Sequence, residues 1–128
     1  MRKVIADTNV FLRFLLGDIP KQKRIAEDLF REAKEGKIRI IVPQIIIFEI
    51  DFILRKYYRF PVADISSKLK PLVNTQYFQI NNRVVFLKSL EIYKSRNLSF
   101  VDSYLLALAE IENCELFSFD KKLLKIKI

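Results

Sequence analysis

The stretch "VIADTNVFLRFLLG", Val4 to Gly17, changes from an apolar run of strand character to a helical pattern at one aspartate, Asp7. Lys3–Asp7 is predicted to form a short buried strand, and Asn9–Leu16 a helix that ends at a glycine suited to the C-terminal position. Asp7 has two explanations at this junction: it caps the helix through its side-chain oxygen, or it binds a metal ion. The positions of the other acids in the chain are needed to distinguish the two explanations.

Helix and strand patterns alternate along the rest of the chain. Gln44–Tyr58 is predicted to be an apolar helix, although its run of isoleucines makes a strand a local alternative. The further helices are predicted over 17–37, Pro61–Leu72, Arg83–Arg96 and 97–114, and the further strands over 38–42, 75–80, 115–119 and 125–128. Helices between strands need right-handed crossovers, so the sheet should be mostly parallel and covered on both faces. The prediction is one α/β domain over residues 1–128 with four to five strands, and Asp7 stands at the strand end where such sheets hold their sites.

Composition sets limits on the function. The chain has 128 residues, of which 51% are hydrophobic, and a net charge of +8. Such basicity suits a polyanionic partner, although many small proteins are basic for solubility alone. The Lys and Arg residues are scattered, and they form neither a basic tail nor a single recognition helix. The chain shows no signal-peptide pattern and no apolar run of the ~20 residues that a membrane span needs, so a cytoplasmic protein without membrane attachment is expected.

Histidine is absent, and Cys114 is the only cysteine. The absence of histidine excludes histidine acid–base pairs, Ser-His-Asp triads and histidine-ligated zinc. A single cysteine excludes an internal disulfide framework and a multi-cysteine zinc site, and Cys114 is expected to be a small buried hydrophobe. An enzyme of this composition must use carboxylates, hydroxyls, lysines or a bound metal.

Glu49 has apolar neighbours along its predicted helix. The residues three and four positions away are Ile45, Ile46, Phe52 and Ile53. Glu49 is therefore predicted to project from a core face, where an unpaired carboxylate needs a cation. Asp51 lies about 200° around the same helix, has Arg55 four residues on, and is expected to be an ordinary surface acid.

Two further acids stand where a helix begins. Ser99-x-x-Asp102 matches a capping box, and Asp120 follows the fourth predicted strand as Asp7 follows the first. Capping explains each acid taken alone. The parallel topology can bring both acids to one end of the sheet with Asp7 and Glu49, where only a divalent cation or shared protons make such a cluster tolerable. Oxygen ligands favour Mg²⁺ or Mn²⁺, and these ions on carboxylates commonly serve phosphoryl chemistry.

Other enzyme classes fit the sequence less well. Phosphatases of the haloacid-dehalogenase type need a second aspartate two residues after the first, where this chain has Asn9. Receiver domains need a pair of acids near the end of the first strand, and only one is present. Two glycines cannot build a Gly-rich phosphate loop, which counts against a nucleotide-binding Rossmann domain. A basic RNA-binding module without catalysis is the non-enzyme alternative, and its signature would be the loss of one of the four acids.

Four stretches of the chain resemble, in order and spacing, the acidic motifs of PIN-domain nucleases, most closely the VapC-type toxins of prokaryotic toxin–antitoxin pairs. These stretches are "VIADTNVFLRFLLGDIPKQ", "VPQIIIFEIDFIL", "LSFVDSYLLALA" and "LFSFDKKL". The resemblance covers essentially the whole chain and implies a single PIN domain over 1–128 with a three-layer α/β/α fold. It further implies a metal-dependent endoribonuclease in which Asp7, Glu49, Asp102 and Asp120 form the acidic quartet that binds Mg²⁺ or Mn²⁺.

The resemblance also implies supporting residues and partners. Thr8 and Asn9 match the polar residues beside the first acid, and Ser118 matches the hydroxyl residue before the fourth. By analogy with the family, the chain is expected to be a homodimer, to hydrolyse RNA phosphodiester bonds, and to be inhibited by a cognate antitoxin that reaches the acidic pocket. The prediction is therefore the toxin of a VapBC-type pair, with a PIN-fold RNA-processing nuclease that is not a toxin as the alternative.

Overall fold

The computed structural model describes residues 1–126, and in this range it contains three strands and seven helices. The strands are β1 (Arg2–Ile5), β2 (Ile38–Ile41) and β3 (Phe78–Gln79). The helices are α1 (Thr8–Leu16), α2 (Pro20–Lys34), α3 (Gln44–Lys56), α4 (Val62–Asn74), α5 (Arg83–Ser95), α6 (Phe100–Ile111) and α7 (Lys121–Leu124). The first three predicted strands and the five predicted longer helices are confirmed, together with the helix that follows Asp7, although several boundaries differ. The expectation that the first strand is buried is wrong, because Val4 is the one half-buried residue of β1 and Ile5 is 67% exposed.

The three strands form a parallel sheet in the order β1-β2-β3. Ile5 at the end of β1 pairs with Ile41, and Ile41 pairs with Gln79 at the end of β3. The carboxyl ends of all three strands therefore lie side by side at one edge of the sheet. Asp7 and the start of α3 follow directly from this edge, which is the part of an open α/β sheet where sites are usually found.

The predicted fourth strand over 115–119 is wrong. In the described part of the chain this segment contains no strand and makes no backbone hydrogen bond to the sheet. Its alternate residues Phe117 and Phe119 are 82% and 93% exposed, so the apolar alternation that suggested a strand has no surface of this chain to pack against. The predicted fifth strand over 125–128 lies partly outside the described residues, and Lys125 and Ile126 are not in a strand. The described sheet thus has three strands rather than four to five, whereas the α/β class with a parallel sheet, consistent with an α/β/α fold, is confirmed.

Aromatic side chains pack the helices against the sheet. Phe11 of α1, Phe30 of α2 and Phe78 of β3 are buried, with ring centroids 5.0 to 5.7 Å apart. Phe48 of α3 lies 5.2 Å from Phe100 of α6. These contacts hold α1 and α3 in place where they leave the carboxyl edge of the sheet.

Two sequence expectations about single residues have different outcomes. Gly17 ends α1 in the left-handed conformation, with φ of 62°, and its N–H donates to the carbonyl of Arg13 at 3.0 Å, as predicted. The expectation that Cys114 is buried is wrong, because it is exposed in the turn after α6, where its N–H donates to the carbonyl of Ala109.

Across residues 1–126, no helix combines the length and the apolar character that crossing a membrane requires.

Candidate active site

Asp7 is the N-cap of α1. Its Oδ1 accepts a hydrogen bond from the N–H of Val10 at 3.3 Å, and the residue has extended backbone with φ of −81°. The capping explanation for Asp7 is therefore confirmed. Its Oδ2 makes no hydrogen bond to the described residues, and the side chain is exposed. One carboxylate oxygen thus holds the helix start while the other is available to a ligand.

An open cleft of about 410 Å³ lies beside Asp7. Its walls come from the start of α1 and from one side of α3, and the lining residues are Asp7, Thr8, Asn9, Glu49, Phe52, Ile53 and Tyr57. The cleft therefore combines two acids from separate helices with the hydroxyl and amide that follow the first acid. Thr8 is only 7% exposed, so its side chain is held in place, whereas Asn9 is open to solvent.

The expectation that Glu49 projects from a core face is wrong. Glu49 is exposed, and two of its apolar neighbours, Ile45 and Phe52, are themselves 72% and 45% exposed. These apolar side chains belong to the outer side of α3, so the apolar surroundings of Glu49 do not indicate burial. No ion pair to Glu49 is present among residues 1–126, so its carboxylate remains available to a cation at the mouth of the cleft.

Asp51 is the buried acid of α3, and the expectation that it lies on the surface is also wrong. It is 3% exposed and accepts a hydrogen bond from the Tyr93 hydroxyl of α5 at 2.5 Å. Arg55, one turn along α3, lies 3.7 Å away. Burial raises the pKa of Asp51, against the opposing effects of the Tyr93 hydrogen bond and the Arg55 charge. Because Asp51 lies about 200° around the helix from Glu49, its anchor on the inner side keeps Glu49 on the outer side.

Asp102 stands in the first turn of α6, where Ser99 is the N-cap. The hydroxyl oxygen of Ser99 accepts the N–H of Asp102 at 3.1 Å, which confirms the Ser99 half of the predicted capping box. Asp102 is half-buried and does not line the cleft that holds Asp7 and Glu49. Its helix packs against α3 through the contact between Phe48 and Phe100, which places the two helices side by side.

Asp120 is the N-cap of the short helix α7. Its Oδ1 accepts the N–H of Lys122 at 2.9 Å and that of Leu123 at 3.4 Å. Ser118 supports this turn, because its hydroxyl oxygen accepts the N–H of Asp120 at 3.0 Å. Neither Asp120 nor Ser118 lines the cleft. The structure therefore brings together Asp7, Thr8, Asn9 and Glu49 in the cleft, but neither Asp102 nor the fourth motif.

The donor chemistry of the cleft fits a hard divalent cation. Carboxylate, hydroxyl and amide oxygens are the groups that Mg²⁺ and Mn²⁺ prefer. The seven ion pairs among residues 1–126 include none of the four predicted acids, so these acids are not neutralised by lysine or arginine. Within the same residues, no three acids or cysteines lie close enough together to hold one ion. The cleft thus supplies two carboxylates, a number with which Mg²⁺ is commonly held when waters complete its coordination.

The sequence analysis missed part of the cleft wall. Phe52 was read only as an apolar neighbour of Glu49, and Ile53 likewise, yet both line the cleft. The available signal was their position three and four residues after an acid on one helix, which places all three on one side of α3.

Comparisons with known proteins indicate the family of the chain. The VapC ribonuclease of Aquifex aeolicus (strain VF5) is 26% identical to the chain over 98 residues, which are 77% of this chain and 72% of that protein. The family model of the PIN domain matches residues 4–128, a range that begins within β1 and contains the cleft and all four predicted acids. The chain therefore belongs to the PIN domain family.

Proposed function

We propose that this chain is a metal-dependent endoribonuclease that hydrolyses RNA phosphodiester bonds, and that it is the toxin of a VapBC-type toxin–antitoxin pair. The observation that carries the proposal is the cleft at the carboxyl edge of the sheet in which Asp7 and Glu49 face solvent, with no cationic partner among residues 1–126. Family membership and the similarity to a VapC ribonuclease support the reaction and the substrate class.

The charge distribution near the cleft supports a nucleic-acid substrate. Arg55, Lys56 and Arg59 lie at and just beyond the end of α3, and all three are exposed. They follow directly from the cleft residues of the same helix, so a phosphate backbone that reaches Glu49 passes beside positive charge. Contacts of this kind give salt-sensitive affinity with little sequence information.

The proposed roles follow from the donor groups. Asp7 and Glu49 would hold a Mg²⁺ or Mn²⁺ ion, with Asp102 as a third ligand and Asp120 as a direct or water-mediated fourth. When bound, the ion would make an attacking water easier to deprotonate and would stabilise negative charge on the phosphate. The hydrogen bond from the Val10 N–H fixes the orientation of the Asp7 carboxylate. The water oxygen forms a bond to phosphorus as the bond from phosphorus to the leaving oxygen breaks, and the leaving oxygen takes up a proton.

Asp7→Asn tests this proposal without removing the helix cap, because asparagine caps helices about as well as aspartate. The variant should keep the wild-type melting temperature in the absence of metal and lose RNA cleavage in Mn²⁺ or Mg²⁺. It should also lose the rise in melting temperature that the metal produces in the wild-type protein. Glu27→Asn is the matched control, since Glu27 is an exposed acid of α2 outside the cleft. Undiminished cleavage by Asp7→Asn would remove Asp7 from the mechanism.

Two apolar surfaces support the proposed protein partners. A groove of about 190 Å³ between α1 and α2, lined in part by Asn9, Ile25 and Leu29, adjoins the cleft through Asn9 and fits an antitoxin segment that reaches the acids. For the proposed homodimer, exposed apolar side chains are available on α6, at Val101 and Leu105, and at the neighbouring rings of Phe117 and Phe119. A neighbouring small protein that co-purifies with the chain and blocks cleavage would favour the toxin. Cleavage without any such inhibitor would favour the RNA-processing alternative.

A further inference from the structure

Phe52 and Tyr57 form an exposed aromatic pair at the mouth of the cleft. Phe52 is 45% exposed and Tyr57 is 70% exposed. Their ring centroids are 6.2 Å apart, and the ring planes are inclined at 77°. Both rings line the same cleft as Asp7 and Glu49. The cleft therefore has an aromatic wall next to its acids.

The pair is not explained by the packing of the chain. Neither ring belongs to the buried core or to the apolar side chains that pack against it. Apart from each other, the described contact of these rings is the guanidinium of Arg55, 5.8 Å from the centroid of Phe52. Tyr58, the next residue, differs, because its hydroxyl accepts a hydrogen bond from Arg13 at 3.2 Å and is tied to α1. Phe52 and Tyr57 thus expose ring surface that a ligand can cover.

The surroundings of the pair favour a nucleobase as the ligand. Bases stack on aromatic side chains and on arginine planes, and proteins that read RNA do this mainly with unpaired bases that have left the helical stack. Glu49 lies three residues before Phe52 on α3, so ring and acid share one side of the helix. A nucleotide whose phosphate is at the acids therefore has its base within reach of the rings, while Lys56 can contact the next phosphate.

We infer that Phe52 and Tyr57 form a stacking site for one unpaired nucleobase beside the phosphate that is cleaved. This inference rests on the proposed function. The rival occupant of the same surface is an apolar side chain of a protein partner.

Binding to RNA that is not cleaved tests the stacking site. In the otherwise wild-type chain with Ca²⁺ in place of Mg²⁺, which takes oxygen ligands at the acids, an unstructured RNA of about ten nucleotides carrying one 2-aminopurine should bind with a loss of fluorescence, because the base stacks on a ring. Phe52→Leu and Tyr57→Leu should each weaken binding roughly tenfold and restore the fluorescence, whereas Tyr57→Phe should retain both. Tyr77→Leu is the matched control, since Tyr77 is 37% exposed and lies outside the cleft. The same RNA annealed to its complement should bind without ring dependence.

The outcomes separate this inference from the proposed function. If the wild-type chain cleaves RNA with Mn²⁺ but the leucine variants bind the probe like Tyr77→Leu, the stacking site is wrong and the nuclease stands. If the rings matter for binding but the wild-type chain cleaves no RNA, the nuclease is wrong and the stacking site stands. If the leucine variants lose only the binding of a co-purifying protein, the rings belong to a protein interface and the inference is overturned.

Discussion

Replacing Tyr93 with phenylalanine removes one oxygen atom from the buried contact between α3 and α5. Tyr93 is 2% exposed, and its hydroxyl donates to Asp51 at 2.5 Å. Asp51 then keeps Arg55 at 3.7 Å as its other charged partner, and water has little access to a carboxylate that is 3% exposed. The variant leaves a buried acceptor without its best donor, and it adds no bulk.

The size of the effect follows from the kind of bond that is lost. A hydrogen bond to a charged group contributes roughly 1.5–3 kcal/mol to stability. Taking about 2 kcal/mol, the equilibrium constant for unfolding rises roughly 30-fold. With an unfolding entropy of about 2.1 cal/mol/K per residue, the melting temperature of this chain should fall by about 7 °C.

The loss should depend on pH. Burial raises the pKa of Asp51 above its ordinary value of 3.8, so the folded protein holds this proton to a higher pH than the unfolded chain does. The ionised carboxylate therefore costs stability, and the cost is absent below the unfolded pKa and complete above the folded one. Tyr93→Phe removes a bond that favours the charged form, which raises the pKa of Asp51 further. The difference from wild type should be largest near neutral pH and shrink as the pH falls toward the ordinary pKa.

Urea unfolding followed by circular dichroism, at neutral pH and at a pH near the ordinary pKa of Asp51, measures the loss of stability. Two variants serve as controls. Tyr104→Phe also removes a tyrosine hydroxyl, but this one accepts a bond from exposed Asn82 at 3.3 Å, so the loss should stay below about 1 kcal/mol. Asp51→Asn keeps an acceptor for Tyr93 without a buried charge and should lose less than Tyr93→Phe. Equal losses for Tyr93→Phe and Tyr104→Phe, or a loss that does not change with pH, would refute the reasoning.

Two further predictions concern the edge of the sheet and the RNA. Arg83→Met should lower the free energy of unfolding by about 2 kcal/mol, measured by urea unfolding, because three backbone carbonyls lose the donor that Arg83 supplies; retained stability would contradict this. The carbonyls that accept from Arg83 are those of Val73, Thr75 and Phe78. Lys56→Gln should weaken RNA binding and reduce the slope of log affinity against log salt by about one; an unchanged slope would show that Lys56 touches no phosphate.

Local signals predicted much of the fold. The strand before Asp7, the cap at Asp7 and the glycine after α1 depend on a few neighbouring residues, and the structure confirms each. The capping role of Ser99 before Asp102 was predicted for the same reason. The prediction of a strand over 115–119 was wrong because a strand needs a partner strand to pair with. Alternation of apolar residues alone does not show that such a partner exists. The residue pattern predicted the shared position of Asp7 and Glu49 only through the parallel topology, which is a property of the whole fold.

Glu49 was predicted to lie on a core face and Asp51 on the surface, and the structure shows the reverse for a physical reason. Apolar residues three and four positions from an acid indicate a side of the helix that is buried. They give the same indication when that side is buried by a substrate or a protein partner as when it is buried in the core. A better signal was the availability of partners inside the chain: Asp51 has Arg55 one turn on and a buried tyrosine to donate to it. A paired acid tolerates burial, whereas Glu49 has no such partner and must face solvent or a cation. The two acids are about 200° apart on α3, so the burial of one requires the exposure of the other. Buried Asp51 therefore helps to fix the rotation of α3 about its axis, and Glu49 faces the cleft as a consequence.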